Sequence, residues 1–197
     1  MFNWWLFIAF VGSACFAPGP NNITSIAMAR GYGITQSIKY AAGALIGFAA
    51  LNFLCCAFNG LIARILPSAQ SVLAVLGALY FLYLAYSILR SKTLEDGGAA
   101  KKAGFFAGIL IQFINPQGIF FALSIAAVHV TPHFHTLGAY ALFSVLMGVV
   151  AFVMIAVWGV FGLVIARFFK KYNLAVNIVL SLLLVYCAYS VFMGMFR

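Results

Sequence analysis

Carboxylates are almost missing from this chain: among its 197 residues only the adjacent Glu95 and Asp96 are acidic. A paired-carboxylate acid/base site inside an apolar stretch is therefore excluded, as is an acidic cage for a hard cation. No Ser/His/Asp set or Cys/His pairing is visible either, so a membrane enzyme lacks its reactive group and no catalytic residue is assigned. The four cysteines, Cys15, Cys55, Cys56 and Cys187, all fall in apolar runs at spacings that suit no zinc site. A redox relay would want a cysteine facing Cys15 from the fourth apolar stretch, which has none. No Lys or Arg precedes Arg30, so the first apolar run lacks the basic start of a cleavable signal peptide and is expected to stay in the mature protein. Neither a cofactor nor a metal site is expected.

What the chain has in abundance is grease. Hydrophobic residues make up 66%, charged residues 7%, and mean hydropathy is +1.13. These values predict an all-α integral membrane protein, since a crossing helix needs about 20 apolar residues. Six stretches are long enough or nearly so: Trp4 to Ala29, Tyr40 to Ala63, Ser71 to Leu89, Phe105 to Val128, Gly138 to Ala166 and Leu174 to Phe196. The connections leave no room for a soluble domain, so residues 1–197 are read as one compact six-helix membrane domain. Arg30, Lys39, Arg90, Lys92, Lys101, Lys102, Arg167, Lys170 and Lys171 all fall in the first, third and fifth connections, against Arg64 and Arg197 on the other side. Short cytoplasmic loops retain Lys and Arg, so both termini are expected outside, with Trp4, Trp5 and Tyr172 as interfacial anchors. The same asymmetry accounts for the net charge of +9 and argues for membrane lipid, and no nucleic acid, as the surrounding partner.

Two of the six stretches carry helix breakers. The first contains Phe16-Ala17-Pro18-Gly19-Pro20-Asn21-Asn22, and the fourth contains Phe113-Ile114-Asn115-Pro116-Gln117-Gly118. Proline removes an intrahelical hydrogen bond, and lipid cannot satisfy the backbone groups so released. Broken helices at membrane depth are tolerated where they line a cavity, and in transporters they commonly hold the substrate. The one obvious linker, residues 90–104, is read as a cytoplasmic loop that divides the chain into halves 1–90 and 104–197. Each half has three helices, an odd number, so the second enters the membrane from the side opposite to the first. The fold expected is thus six transmembrane helices as two inverted three-helix halves, with helices 1 and 4 broken at corresponding places.

These breaks suit a free amino acid. A half-helix starting after Pro20 offers N–H groups around Asn21 to Thr24 and a positive dipole end to a carboxylate. Carbonyls freed before Pro18 suit an ammonium, and Asn21, Asn22, Asn115 and Gln117 add polar groups with no fixed charge. The site proposed from sequence therefore comprises Pro18, Gly19, Pro20, Asn21, Asn22, Thr24, Asn115, Pro116 and Gln117. The plainer alternative is a proline kink with amides joining neighbouring helices. Elsewhere, packing is the favoured role: for a small-residue face at Gly43 and Gly47 opposite Asn52, Cys56 and Asn59, for Tyr80, Tyr83 and Ser87, and for Gly104 and Gly108.

Pro18-Gly19-Pro20-Asn21 and Asn115-Pro116-Gln117, with the chain length, the six-helix pattern and the charged central loop, resemble the lysine exporter and homoserine/threonine exporter (LysE/RhtB) family of bacterial amino-acid effluxers. Asn177 to Ala188 and Thr93 to Gly97 look most similar to its cysteine- and O-acetylserine-exporting members. Gln117 stands where the family usually has lysine, which removes a fixed positive charge. The resemblance implies export by alternating access across a bacterial inner membrane, with protons as coupling ion. Its cargo would be cysteine, O-acetylserine, homoserine or threonine. With no carboxylate in the spans, a cationic side chain has no partner, which favours small neutral cargo. Glu95 and Asp96, or the substrate itself, are then the candidates for carrying the coupling proton. A homo-oligomer is compatible with the sequence. The rival reading, metal-ion efflux, rests on superfamily relatives and on His129, His133 and His135 in an outer loop; a neutral exposed turn is the plainer role for those three.

Overall fold

The computed structural model describes residues 2–16, 19–59, 61–62, 65, 72, 75–76, 78–83, 85–86, 100–168 and 173–193. Apolar runs of this length bury their backbone polar groups only as helices, and no strand occurs among the described residues. Helix α1 is Trp4–Phe16, α2 Pro20–Tyr32, α3 Ile34–Ala57, α4 Ala100–Ile114 and α5 Pro116–Ser124. A π-helical turn, Ile125–Val130, leads to α6, Leu137–Phe168, and α7 is Asn173–Met193.

Both expected breaks are present. α1 stops at Phe16 and α2 opens at Pro20, with Gly19 extended at φ −93°, ψ 171°. α4 stops at Ile114, Asn115 is extended at φ −79°, ψ 106°, and α5 opens at Pro116. Proline at the first helical position loses no bond, because that N–H has no partner within the helix. The axis turns by 66° at Asn115. α1 and α2 have 13 residues each, about 20 Å at 1.5 Å per residue, so neither alone crosses a hydrocarbon core about 30 Å thick. Among the described residues, Ile34–Ala57 and Leu137–Val164 are each long and apolar enough to cross, and Gly104–Ile114 with Pro116–Val130 makes a third only if the bent pair counts as one broken span rather than a re-entrant loop. α3 starts before the expected Tyr40, because Gly33, at φ 85°, reverses the chain within one residue. The expected span Ser71 to Leu89 is described only in part, and its described residues are helical.

Close approaches fix the register. A methyl group at Gly43 would strike the Phe105 carbonyl, one at Gly47 the Ile109 carbonyl, and one at Gly108 the Tyr40 carbonyl. From Gly104 against Gln36, through Gly108 against Tyr40 and Ala44, to Gln112 against Gly47, residue numbers rise together, so α3 and α4 run parallel with their small faces pressed together, the close packing that glycine permits between membrane helices. Gly148 meets Leu45 and Ala49 while Gly159 meets Ser25 and Ser37, so α6 runs antiparallel to α3. The Ser25–Ser37 hydroxyl pair (2.8 Å) and the Tyr40–Asn21 bond (2.7 Å) set α2 antiparallel to α3 as well. The two broken segments therefore run in opposite senses.

Two apolar cores result. One joins Phe7 and Val11 of α1, Phe48 to Cys56 of α3, the α5–π segment and Phe143 and Met147 of α6. The other joins Ile23 and Ile26, Tyr40 to Ala44, Ile111, Ile155 and Leu180 to Ala188 with Ala78, Phe81 and Ala85. Val149, Val153, Val157, Val160 and Val164 line the opposite face of α6 and are exposed, as a lipid-facing stripe requires.

Candidate functional site

A cavity of about 200 Å³ lies where the two cores meet, bordered by Val11, Phe48 and Met147 from one and Ile155 from the other. Cavities for drug-sized ligands run from roughly 300 to 1,000 Å³, so this one suits a smaller molecule. Gly19, Pro20, Asn21, Asn22, Asn115 and Gln117, all expected from sequence, line it together. Thr24 is fully buried within α2 away from the cavity wall, and Pro116 is buried at the start of α5 without lining it. Pro18, Glu95 and Asp96 lie outside the described residues.

Each polar lining group is held by local backbone chemistry. The carbonyl of Gly19 accepts from the N–H groups of Asn22 and Ile23, both at 3.0 Å, and so closes the first turn of α2. At the second break the Asn115 side chain accepts from the Gln117 N–H at 3.2 Å, an N-cap that starts α5 beside the cavity. Two helix N-termini thus converge, each with a partial positive charge of roughly half an elementary unit. Among the described residues, no Lys, Arg, Asp, Glu or His lines the space.

Asn21 sits at the centre of a network that the sequence did not announce. Its Nδ2 donates to Gln112 Oε1 at 3.1 Å, and its Oδ1 accepts from the Tyr40 hydroxyl at 2.7 Å and from Gln112 Nε2 at 3.4 Å. Gln112 also donates to the Gly108 carbonyl at 3.0 Å. Tyr40 is 0% exposed and Gln112 1%, so their bonds are made out of water and a broken one is not replaced. The signal that could have found Gln112 is an amide one turn before Asn115 in an otherwise apolar run. Met147, Val150, Ala151 and Met154 of α6 carry no such contrast.

Aromatic rings bound the cavity toward the N-terminal end of α1. Phe121 stacks on Phe48 at 6.1 Å and on Phe10 at 5.2 Å, and Phe10 and Phe7 bear on the His129 ring at 5.3 and 5.4 Å. His129 therefore belongs to the π turn, against α1, while His133 packs on Phe2 in the turn beyond. Among the described residues no three His, Cys, Asp or Glu side chains converge as metal ligands do. Cys55 and Cys56 are buried in one core and Cys187 packs against the other.

Comparison with known proteins bears on this arrangement. Residues 12–194 match the family model described as LysE type translocator. The cysteine/O-acetylserine efflux protein of Escherichia coli (strain K12) is 36% identical over 175 residues, covering 89% of this chain and 90% of the relative. That of Shigella flexneri is equally similar over the same coverage, and that of Escherichia coli O139:H28 is 35% identical over 175 residues. No solved structure matches the chain.

Proposed function

Because the chain belongs to the LysE type translocator family, we propose that it exports small neutral amino acids or cysteine-pathway metabolites, in the manner of its cysteine/O-acetylserine efflux relatives. The observation that carries this reading is the convergence of both helix breaks on one small cavity that has no charged side chain among the described residues. A zwitterion must find a partner for each charge when it leaves water. The N-termini of α2 and α5 suit its carboxylate, and the amide oxygens of Asn115 and Gln117 suit its ammonium, beside an Asn21 held by Tyr40 and Gln112. A lysine side chain would bring a third charge with no counterpart here.

Six spans in two inverted halves fit the opposed directions of the broken segments, and that geometry supports alternating access about the cavity. Residues 90–104 are the proposed cytoplasmic link, with Glu95 and Asp96 as proton carriers at its mouth. The site lies in a bacterial inner membrane with both termini outside, and protons are the proposed coupling ion. The test is counterflow of radiolabelled cysteine and O-acetylserine in proteoliposomes. Wild-type protein should exchange both, and Pro20→Ala with Pro116→Ala should abolish exchange at unchanged protein level. Full activity of that double variant would refute the role of the breaks.

A further inference from the structure

The lining of the cavity divides by chemistry into a polar and an apolar part. Gly19, Asn21 and Asn22 of the first break and Gln112, Asn115 and Gln117 of the second form the polar wall. Most of the apolar lining comes from α6, as Met147, Val150, Ala151, Met154 and Ile155, an i, i+3, i+4, i+7, i+8 stripe without a polar side chain, and Val11, Phe48 and Phe121 complete it. We infer that this α6 stripe is the specificity wall, which receives the substrate's side chain while the breaks hold its α-amino and carboxylate groups. The inference rests on the exporter reading above and adds which residues choose the cargo.

The orientation follows from desolvation. Ammonium and carboxylate go to the polar wall because the α6 face would leave either unpaired. The side chain then points at two thioethers and three aliphatic groups. Thioethers are soft and conformationally adaptable, and they suit an uncharged, polarisable group such as a thiol or a short ester. Ala151, midway along the stripe and half-buried, is its smallest member and sets how deep that side chain reaches. In an apolar pocket one methylene of fit is worth roughly 10- to 200-fold in selectivity.

Counterflow in proteoliposomes with labelled cysteine and labelled O-acetylserine, whose side chain is longer, tests this. Ala151→Leu should lower O-acetylserine exchange about tenfold more than cysteine exchange. Met154→Ala, which deepens the wall, should move the ratio the other way. Asn21→Ala, on the polar wall, should lower both substrates by the same factor. If Ala151→Leu does not reach the membrane, Ala151→Val should show the same direction with a smaller shift. A cargo ratio that is insensitive at both Ala151 and Met154, in variants that still transport, would overturn the assignment of the wall. Wild-type protein that exchanges neither compound would overturn instead the exporter reading beneath it.

Discussion

Asn21 is held from two directions, and the strengths of those holds rank the effects of changing them. Gln112→Met keeps the volume but removes both contacts to the Asn21 amide and the bond to Gly108. Tyr40→Phe removes one hydroxyl and leaves Asn21 Oδ1 with its longer bond to Gln112. A buried bond of this kind is worth about 1 kcal/mol, and leaving a donor or acceptor unsatisfied costs about 1–3 kcal/mol. Initial efflux from cells should therefore fall severalfold in Tyr40→Phe and further in Gln112→Met. The double variant should lose less than the product of the two, since both act through Asn21. The reverse ranking would mean that the network is structural only. Asn21, Asn22, Asn115 and Gln117 were legible in the sequence because an amide beside a proline stands out in an apolar run. Gln112 was readable in the same way but sits a turn from the proline. The α6 wall was not legible, since an apolar residue in an apolar helix looks the same whether it faces lipid or a cavity.

Among the elements, the breaks were written in the sequence by proline, which acts locally and needs no tertiary partner. The small faces at Gly43, Gly47, Gly104 and Gly108 were visible too, but that they meet one another depends on which helices become neighbours. Their seam sets how near α4, and with it Gln112 and Asn115, stands to α3. A methyl at Gly108 would overlap backbone of Tyr40 and Ala44, which cannot swing aside as a side-chain tip can. At Gly12 a methyl meets nothing within 4 Å among the described residues. Gly108→Ala should thus cost about 1–3 kcal/mol from overpacking, read as a lower melting temperature of the purified protein. Gly12→Ala should leave it unchanged or slightly raised, because alanine favours helix. Asn115→Ala removes the cap of α5 and should cost about 1 kcal/mol, with a larger loss in transport than in stability because the capped turn borders the cavity. Equal losses in both measurements would reduce Asn115 to a structural cap. The π turn had no signal in the sequence: Ile125–Val130 is an ordinary apolar stretch whose wider winding is decided by packing against α1 and α3.

Over the whole molecule, the register of the helices turns a count of loop charges into a geometric statement. α3 starts just after Gly33, α4 runs parallel to it and α6 antiparallel, so the end of α2, the starts of α3 and α4 and the end of α6 share one face. Arg30, Lys39, Lys101, Lys102 and Arg167 are placed at these ends. At the opposite face Asn59, beyond α3, bonds Thr131 at 3.2 Å, and Phe2 packs on His133 and Phe134, in a turn without Lys or Arg. Retention of basic residues in the cytoplasm is the ground for the proposal that the first face lies inside and Phe2 outside. In a variant whose four cysteines are replaced, single cysteines at Lys39 or Leu94 should react with a membrane-impermeant maleimide only after the cells are opened. A cysteine at Thr136 should react in intact cells. Labelling of Thr136 only in opened cells, with Lys39 labelled in intact ones, would invert the proposed orientation and turn the direction of transport with it. Labelling of Lys39 and Thr136 from the same side would exclude the register itself, because α3 runs from the face of Lys39 to the face where Asn59 meets Thr131.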